Sequence, residues 1–244
     1  MRRFLAVVLI LSCAATLRAQ TVSSDEHRFA VVTVVEGLRH PWGMAFLPDG
    51  SMLVTERPGT LRLVRDGRLV EAPIEGLPTV DARRQGGLLD VALDPGFADN
   101  RLVYLSYSGR GDGGVNTEVA RGRLIGTALE DVEVIFRARP KTGGSLHYGS
   151  RLLFAPDGTL YVTLGERYSG MEEAQNPDNH LGTVVRIEPD GSIPPDNPFA
   201  DGEGGAPEVY SYGHRNVQGI DRRPGTDEIW THEHGPKEIG RAHV

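Results

Sequence analysis

Beyond Thr21, apolar positions alternate with polar ones in short runs at Phe29–Val35, Met44–Leu47, Met52–Thr55 and Leu61–Val64. Side chains on a strand point to opposite faces in turn, so this period of two predicts half-buried strands. Gly, Pro and Asp punctuate the runs, and no stretch keeps a helical period through three turns. The runs also repeat. Trp42 to Glu56 reads as two strands joined through Pro48-Asp49-Gly50, and Gly149 to Glu166 as two joined through Pro156-Asp157-Gly158. Gly87 to Tyr107 is a looser copy turning at Asp94-Pro95-Gly96, and Gln218 to Glu233 a fourth turning at Pro224-Gly225-Thr226-Asp227. In such turns Gly supplies a positive φ and Asp bonds its own backbone across the bend. The turn prolines at 48, 95, 156 and 224 are 47, 61 and 68 residues apart. Propeller blades repeat every ~40–50 residues, before insertions. A β-sandwich with chance Pro-Asp-Gly turns is the competing architecture. The common endings at Glu56, Glu166 and Glu233 favour the repeat.

The first nineteen residues break this pattern. Arg2 and Arg3 precede an apolar run from Phe4 to Leu11, followed by small residues toward Ala19. That is the layout of a secretory signal, with an apolar core too short to span a bilayer. Ile10-Leu11-Ser12-Cys13 is a partial lipobox, so a lipid anchor through Cys13 is the alternative. Cleavage after Ala19 leaves 225 residues with 23 basic and 33 acidic side chains, and removes the sole cysteine. A periplasmic or secreted chain without disulfides, thiolate zinc sites or a cysteine nucleophile is therefore expected.

Composition narrows the classes further. Gly and Pro make up 47 of the 244 residues, too many for a helical bundle. The 39% hydrophobic content argues for a packed core rather than disorder. The acidic balance, −7 overall and −10 after cleavage, argues against a nucleic-acid partner, which needs a basic surface. His232-Glu233-His234 invites a zinc reading, but no third ligand accompanies it.

Several separated motifs then share one resemblance. Trp42 to Glu56, Gln85-Gly86-Gly87-Leu88-Leu89-Asp90-Val91-Ala92, Gly182 to Phe199, and Tyr212-Gly213-His214-Arg215-Asn216-Val217-Gln218-Gly219 resemble soluble aldose sugar dehydrogenases that use pyrroloquinoline quinone (PQQ). These belong to the glucose/sorbosone dehydrogenase family. The likeness runs from about Leu38 to Pro236. It implies an all-β, six-bladed β-propeller, of which this chain holds about four blades. It also implies oxidation of an aldose to a lactone by hydride transfer to PQQ, with electrons passing on to an acceptor the sequence does not identify.

The resemblance places the chemistry as follows. His147 takes the position of the general base for the anomeric hydroxyl, work suited to an imidazole. Glu166, where glucose-preferring relatives carry aspartate, would orient that imidazole; a solvated strand-end acid is the alternative. Gln85, Arg215 and Asn216 fall at cofactor-facing positions, and a guanidinium suits an anionic planar quinone. The glycines after Gln85 either admit a ligand or form a bulge between blades. Gly235 and Pro236 match backbone carbonyls that hold Ca2+ in the resembled enzymes.

After Pro236 the pattern stops: Lys237 to Val244 does not follow it, and the resembled enzymes' downstream lysine and arginines have no counterpart. The expectation is residues 1–19 as signal and 20–244 as a partial propeller lacking its C-terminal blades. A non-catalytic propeller that only binds a ligand, or an inactive fragment of the dehydrogenase, is the second functional reading, and a calcium-dependent lactone hydrolase the third.

Overall fold

The computed structural model describes residues 20–235 and 241–243. The expected signal with Cys13, the expected calcium ligand Pro236, and most of the off-pattern tail lie outside the described residues. No described helix is long and apolar enough to cross a membrane. Contacts divide the chain into two units, Met1–Glu36 and Gly37–Val244.

The described part of the first unit is one antiparallel hairpin of β1 (Gln20–Ser23) and β2 (Arg28–Val31). The alternating run expected to reach Val35 is strand only as far as Val31.

The second unit is a series of antiparallel sheets, each taking its strands in chain order. The first holds β3 (Pro41–Phe46), β4 (Met52–Glu56), β5 (Thr60–Arg65) and β6 (Arg68–Leu69). The second holds β7 (Leu88–Leu93), β8 (Leu102–Gly111), β9 (Gly114–Ile125) and β10 (Ala128–Arg137). The third holds β11 (Gly149–Phe154), β12 (Leu160–Leu164), β13 (Thr183–Ile187) and β14 (Val209–Tyr212). The fourth holds β15 (Val217–Arg222), β16 (Ile229–Glu233) and β17 (Arg241–His243). The leading strands β3, β7, β11 and β15 lie side by side in that order, each opening one blade of a β-propeller. This is the all-β architecture with four blades that the repeats predict, and no ladder joins the first sheet to the fourth among the described residues.

The turn chemistry is local and as expected. Asp49 Oδ1 accepts the Ser51 amide at 2.9 Å, and Asp157 Oδ1 accepts the Thr159 amide at 3.0 Å. Gly50 and Gly158 follow with φ of +83° and +88°. The looser second copy differs because Asp94 also accepts Asn100 Nδ2 at 2.7 Å and starts a one-turn helix, α1 (Phe97–Asn100).

Two apolar clusters fill the gaps between successive blades. Leu53, Leu61, Leu88 and Leu105 meet between the first and second, and Tyr104, Leu160, Val162 and Ile187 between the second and third. Each side chain so buried contributes about 1.5–3 kcal/mol.

A polar device recurs beside these clusters. The leading strands of the first three blades each carry a bulge whose freed amide donates to a hydroxyl on the second strand of the same blade. Gly43 bonds Thr55 at 2.8 Å, Asp90 bonds Ser106 at 2.9 Å, and Arg151 bonds Thr163 at 2.9 Å. The same hydroxyls donate onward to the next blade, at the carbonyls of Leu89, Ser150 and Val217. A bulge leaves a backbone amide without a ladder partner, and a buried donor without a partner is costly. The hydroxyl therefore satisfies the amide and couples the blades at once. At the corresponding place in the fourth blade stands His232, opposite Gly219.

Arg151 adds a second tie. Its guanidinium lies 4.0 Å from the ring of Trp42, donates to Asp90 at 3.2 Å and donates to the Gln218 carbonyl at 3.0 Å. One side chain on the third blade thus reaches the other three. Burial pushes the Asp90 carboxyl pKa up, and Arg151 and the Leu152 amide oppose that rise.

Candidate active site

The segment between β10 and β11 carries His147, and it is clamped from several sides. Thr142 pairs with Val115 at the start of β9, and the Gln85 amide donates to the Ser145 carbonyl at 3.2 Å. Arg167 supplies the strongest clamp. Its guanidinium donates to the carbonyls of Leu146 and Gly144, each at 2.5 Å, and lies 3.5 Å over the ring of Tyr148. Arg167 is only 1% exposed, and burial pulls its pKa down. Gly144 is required beside it, because a Cβ there would stand 2.9 Å from the Arg167 carbonyl.

His147 itself has φ +51°, a left-handed conformation that a non-glycine residue holds only when its surroundings impose it. Gln85 Oε1 accepts the His147 amide at 2.8 Å, across from the second blade. The imidazole is buried, and its Nδ1 lies 2.8 Å from Glu166 Oε1. With Nδ1 committed to the carboxylate, Nε2 is the nitrogen left to accept a proton. The exposed ring of Tyr168 stands edge-on to the imidazole at 5.4 Å.

The register of the blades corrects the sequence reading of Glu166. Glu56 faces Pro41 and Glu233 faces Val217, at the ends of their ladders. In the third blade the matching partner of Gly149 is Leu164, where β12 ends, and Glu166 lies two residues further on. The common ending seen along the chain therefore joins two kinds of residue. Glu56 accepts the amide of Arg39 at 2.6 Å, and Glu233 accepts those of Arg215 at 2.5 Å and Asn216 at 3.0 Å. Arg39, Arg215 and His147 all precede the leading strand by the same interval. In the third blade Gln85 takes over the amide, which leaves Glu166 for the ring.

The other sequence-predicted residues divide between the clamps and a central cleft of about 330 Å3. All four blades contribute to it, through Trp42, Leu89, Tyr148 and Asn216 among others. Gln85 and Asn216 line the cleft; His147, Glu166 and Arg215 do not, although Tyr148 and Gly149 beside His147 do. Asn216 Oδ1 accepts the Gly149 amide at 3.1 Å and Gln218 Nε2 at 3.0 Å, so this side chain also holds the start of β11. Arg215 directs its guanidinium to the His234 carbonyl at 3.1 Å. The glycines after Gln85 prove to serve chain packing. A Cβ on Gly86 would meet the Asp81 carbonyl at 2.4 Å, and one on Gly87 the Arg57 carbonyl at 1.9 Å.

Sequence reasoning missed Arg57, Arg84 and Tyr148, which line the cleft, and Arg167, which clamps the loop. Arg84 and Tyr148 stand directly beside Gln85 and His147, so adjacency was the available signal. Nothing local distinguishes Arg57 or Arg167 from a surface arginine.

Two observations bear on bound groups. The Tyr148 hydroxyl and Glu166 Oε2 are buried without a hydrogen-bond partner among the described residues, as expected where a ligand or water completes the site. For calcium, no cluster of three or more acidic or histidine side chains exists among the described residues. The His234 carbonyl, next to Gly235, is already engaged by Arg215. The expected ligands are backbone carbonyls, and that of Pro236 lies outside the described residues.

A family model described as Glucose / Sorbosone dehydrogenase matches residues 38–240. Aldose sugar dehydrogenase YliI of Escherichia coli (strain K12) is 41% identical over 238 residues, covering 96% of this chain and 62% of that protein. The crystal structure of the soluble aldose sugar dehydrogenase from Escherichia coli in the apo-form superposes with a TM-score of 0.81 at 42% identity, covering 85% of this chain and 60% of that one. The PQQ-bound form of an aldose sugar dehydrogenase from Streptomyces coelicolor superposes with a TM-score of 0.76 at 32% identity, covering 87% and 61%. The chain spans about three fifths of the length of the curated relatives it matches.

Proposed function

Because the chain belongs to the glucose/sorbosone dehydrogenase family, we propose that it takes part in oxidising an aldose at its anomeric carbon, with PQQ as the electron acceptor in the site. The observation that carries this reading is the buried His147–Glu166 pair, 2.8 Å apart, beside a cleft lined by all four blades. The cleft fits an anionic quinone: among the described residues no carboxylate lines it, and the buried Tyr148 hydroxyl there lacks a partner. When bound, PQQ supplies an ortho-quinone that accepts two electrons as hydride.

The protein's part is proton management and positioning. Glu166 holds Nδ1 of His147 and favours the protonated ring once a proton arrives. His147 Nε2 removes the proton from the anomeric hydroxyl while the C1 hydrogen leaves as hydride, so the alcohol carbon becomes the lactone carbonyl. Gln85 fixes the His147 backbone through Oε1, which leaves its Nε2 as the donor toward a ligand in the cleft. Asn216 holds β11 at Gly149 from the other side. Arg215 holds the segment at His234 rather than the cleft wall. Segment 1–19 belongs to this proposal as a secretory signal, which places the reaction in the periplasm or outside the cell.

The test is reconstitution with PQQ, alone and with added Ca2+, followed by aldose-dependent dye reduction. Reduction that disappears in His147→Ala supports the proposal. Quinone binding without any oxidation of aldoses would replace it with a ligand-binding propeller.

A further inference from the structure

The overall charge of −7 makes the lining of the central cleft unusual: among the described residues it contains Arg57, Arg84 and His234 and no carboxylate. Most other arginines of the second unit are spent on acids, for example Arg83 and Arg110 on Asp81, and Arg186 on Asp157 and Asp196. Arg57 and Arg84 pair with none among the described residues. The polar contact of Arg57 is a long one, 3.5 Å from Nη1 to the Gly86 carbonyl.

Both side chains are nevertheless set in place by the fold. The Arg57 amide donates to the His40 carbonyl at 3.1 Å, and its own carbonyl accepts the Leu88 amide at 3.0 Å, tying it across two blades. Its Cγ packs where a Cβ on Gly87 would be, 2.6 Å away, so only glycine there leaves the stem its course. Arg84 has φ +49°, a conformation that costs about 1 kcal/mol or more for a residue with a Cβ. The loop accepts that cost, and it places Arg84 on the cleft immediately before Gln85.

We infer that Arg57 and Arg84 form a carboxylate-binding subsite in the cleft, distinct from Arg215, whose guanidinium is engaged elsewhere. A guanidinium binds a carboxylate through two parallel N–H bonds, and two such groups in an acid-free cleft strongly favour an anion over a neutral sugar. The carboxylate comes either from the quinone cofactor or from a sugar acid such as a uronate. The cofactor case rests on the PQQ reading above; the sugar-acid case does not.

The experiment is equilibrium titration of the whole chain, followed through the fluorescence of Trp42 in the cleft and by calorimetry. PQQ is the probe in one arm and D-glucuronate in the other, each at low and high salt. Arg84→Gln, an exposed position, tests the subsite without threatening the fold, and Arg57→Gln is the companion. Each substitution is expected to weaken the carboxylate probe that uses the subsite about tenfold and to flatten its salt dependence. Loss confined to PQQ assigns the subsite to the cofactor, and loss confined to glucuronate assigns it to substrate. Unchanged binding of PQQ and glucuronate in both variants overturns the subsite and leaves the quinone reading intact. Glucuronate binding that depends on Arg84, with no PQQ binding, keeps the subsite and ends the quinone reading. Binding of neither probe to the unsubstituted chain ends both.

Discussion

Glu166 Oε1 lies 2.8 Å from Nδ1 of His147, two residues past the ladder position that glutamates occupy in the first and fourth blades. At Glu56 and Glu233 a strand-end carboxylate accepts backbone amides. In the third blade the carboxylate is displaced along the chain, and Gln85 covers the amide instead. Structural glutamates thereby give way to one that serves a side chain.

Replacing the proposed base should cost most. His147→Ala is expected to lower kcat for aldose oxidation about 10^3-fold, within the range for loss of a general base. Glu166→Gln keeps an oxygen for Nδ1–H but loses the charge, and kcat should fall about 10^2-fold with PQQ affinity unchanged. Dye-reduction kinetics and a separate quinone titration measure the two effects. A Glu166→Gln enzyme with unimpaired kcat would return that residue to a structural role.

Arg167 is a positioning residue, because it touches the carbonyls of Gly144 and Leu146 and the ring of Tyr148 rather than substrate. Arg167→Met should lower kcat about 10^2-fold while changing KM little, since a small displacement of His147 costs orientation rather than binding. Arg167→Lys, which cannot span both carbonyls, should recover only part. A pure stability defect would reduce the active fraction and leave kcat per active site unchanged, so active-site titration separates the two.

The hydroxyl bridges between blades predict a stability effect remote from the cleft. Thr163→Val preserves shape but orphans the Arg151 amide and the Val217 carbonyl. The expected loss is about 1–3 kcal/mol in urea unfolding. The same change at an exposed threonine such as Thr79 should be nearly neutral.

Glu208 gives the pH dependence. The His180 imidazole, with Nε2 3.5 Å from Glu208 Oε2, holds its pKa against burial at about 2, well below the usual 4.5. His180 Nδ1 accepts the Arg139 amide at 3.0 Å, so its Nε2 carries the proton facing Glu208. A depressed carboxylate stabilises the fold above its unfolded value and loses that contribution as pH falls through its folded value. Stability should therefore drop between about pH 4.5 and 2, and Glu208→Gln should flatten that slope. Chemical denaturation across this range measures it.

The blades were legible along the chain because their causes are local. Alternation sets which face of each strand is buried, and Pro-Asp-Gly closes each hairpin through contacts two residues apart. The resemblance pointed to Gln85 and Asn216 through contiguous motifs and to His147 by its position. The structure brings Gln85 and Asn216 to one cleft and His147 to its edge.

What the chain alone could not reveal depends on partners far away in sequence. The offset of Glu166 is a matter of register between β11 and β12, and register follows from how the bulge at Ser150–Arg151 is accommodated across blades. The roles of Arg57, Arg151 and Arg167 are equally invisible in composition, where an arginine is a surface charge by default. Only packing separates them: Arg151 is spent on three other blades, Arg167 is buried on carbonyls, and Arg57 faces a cleft whose described lining holds no acid. Strand and turn are decided within a few residues, whereas the charge of the cleft is a sum over blades that meet only when folded.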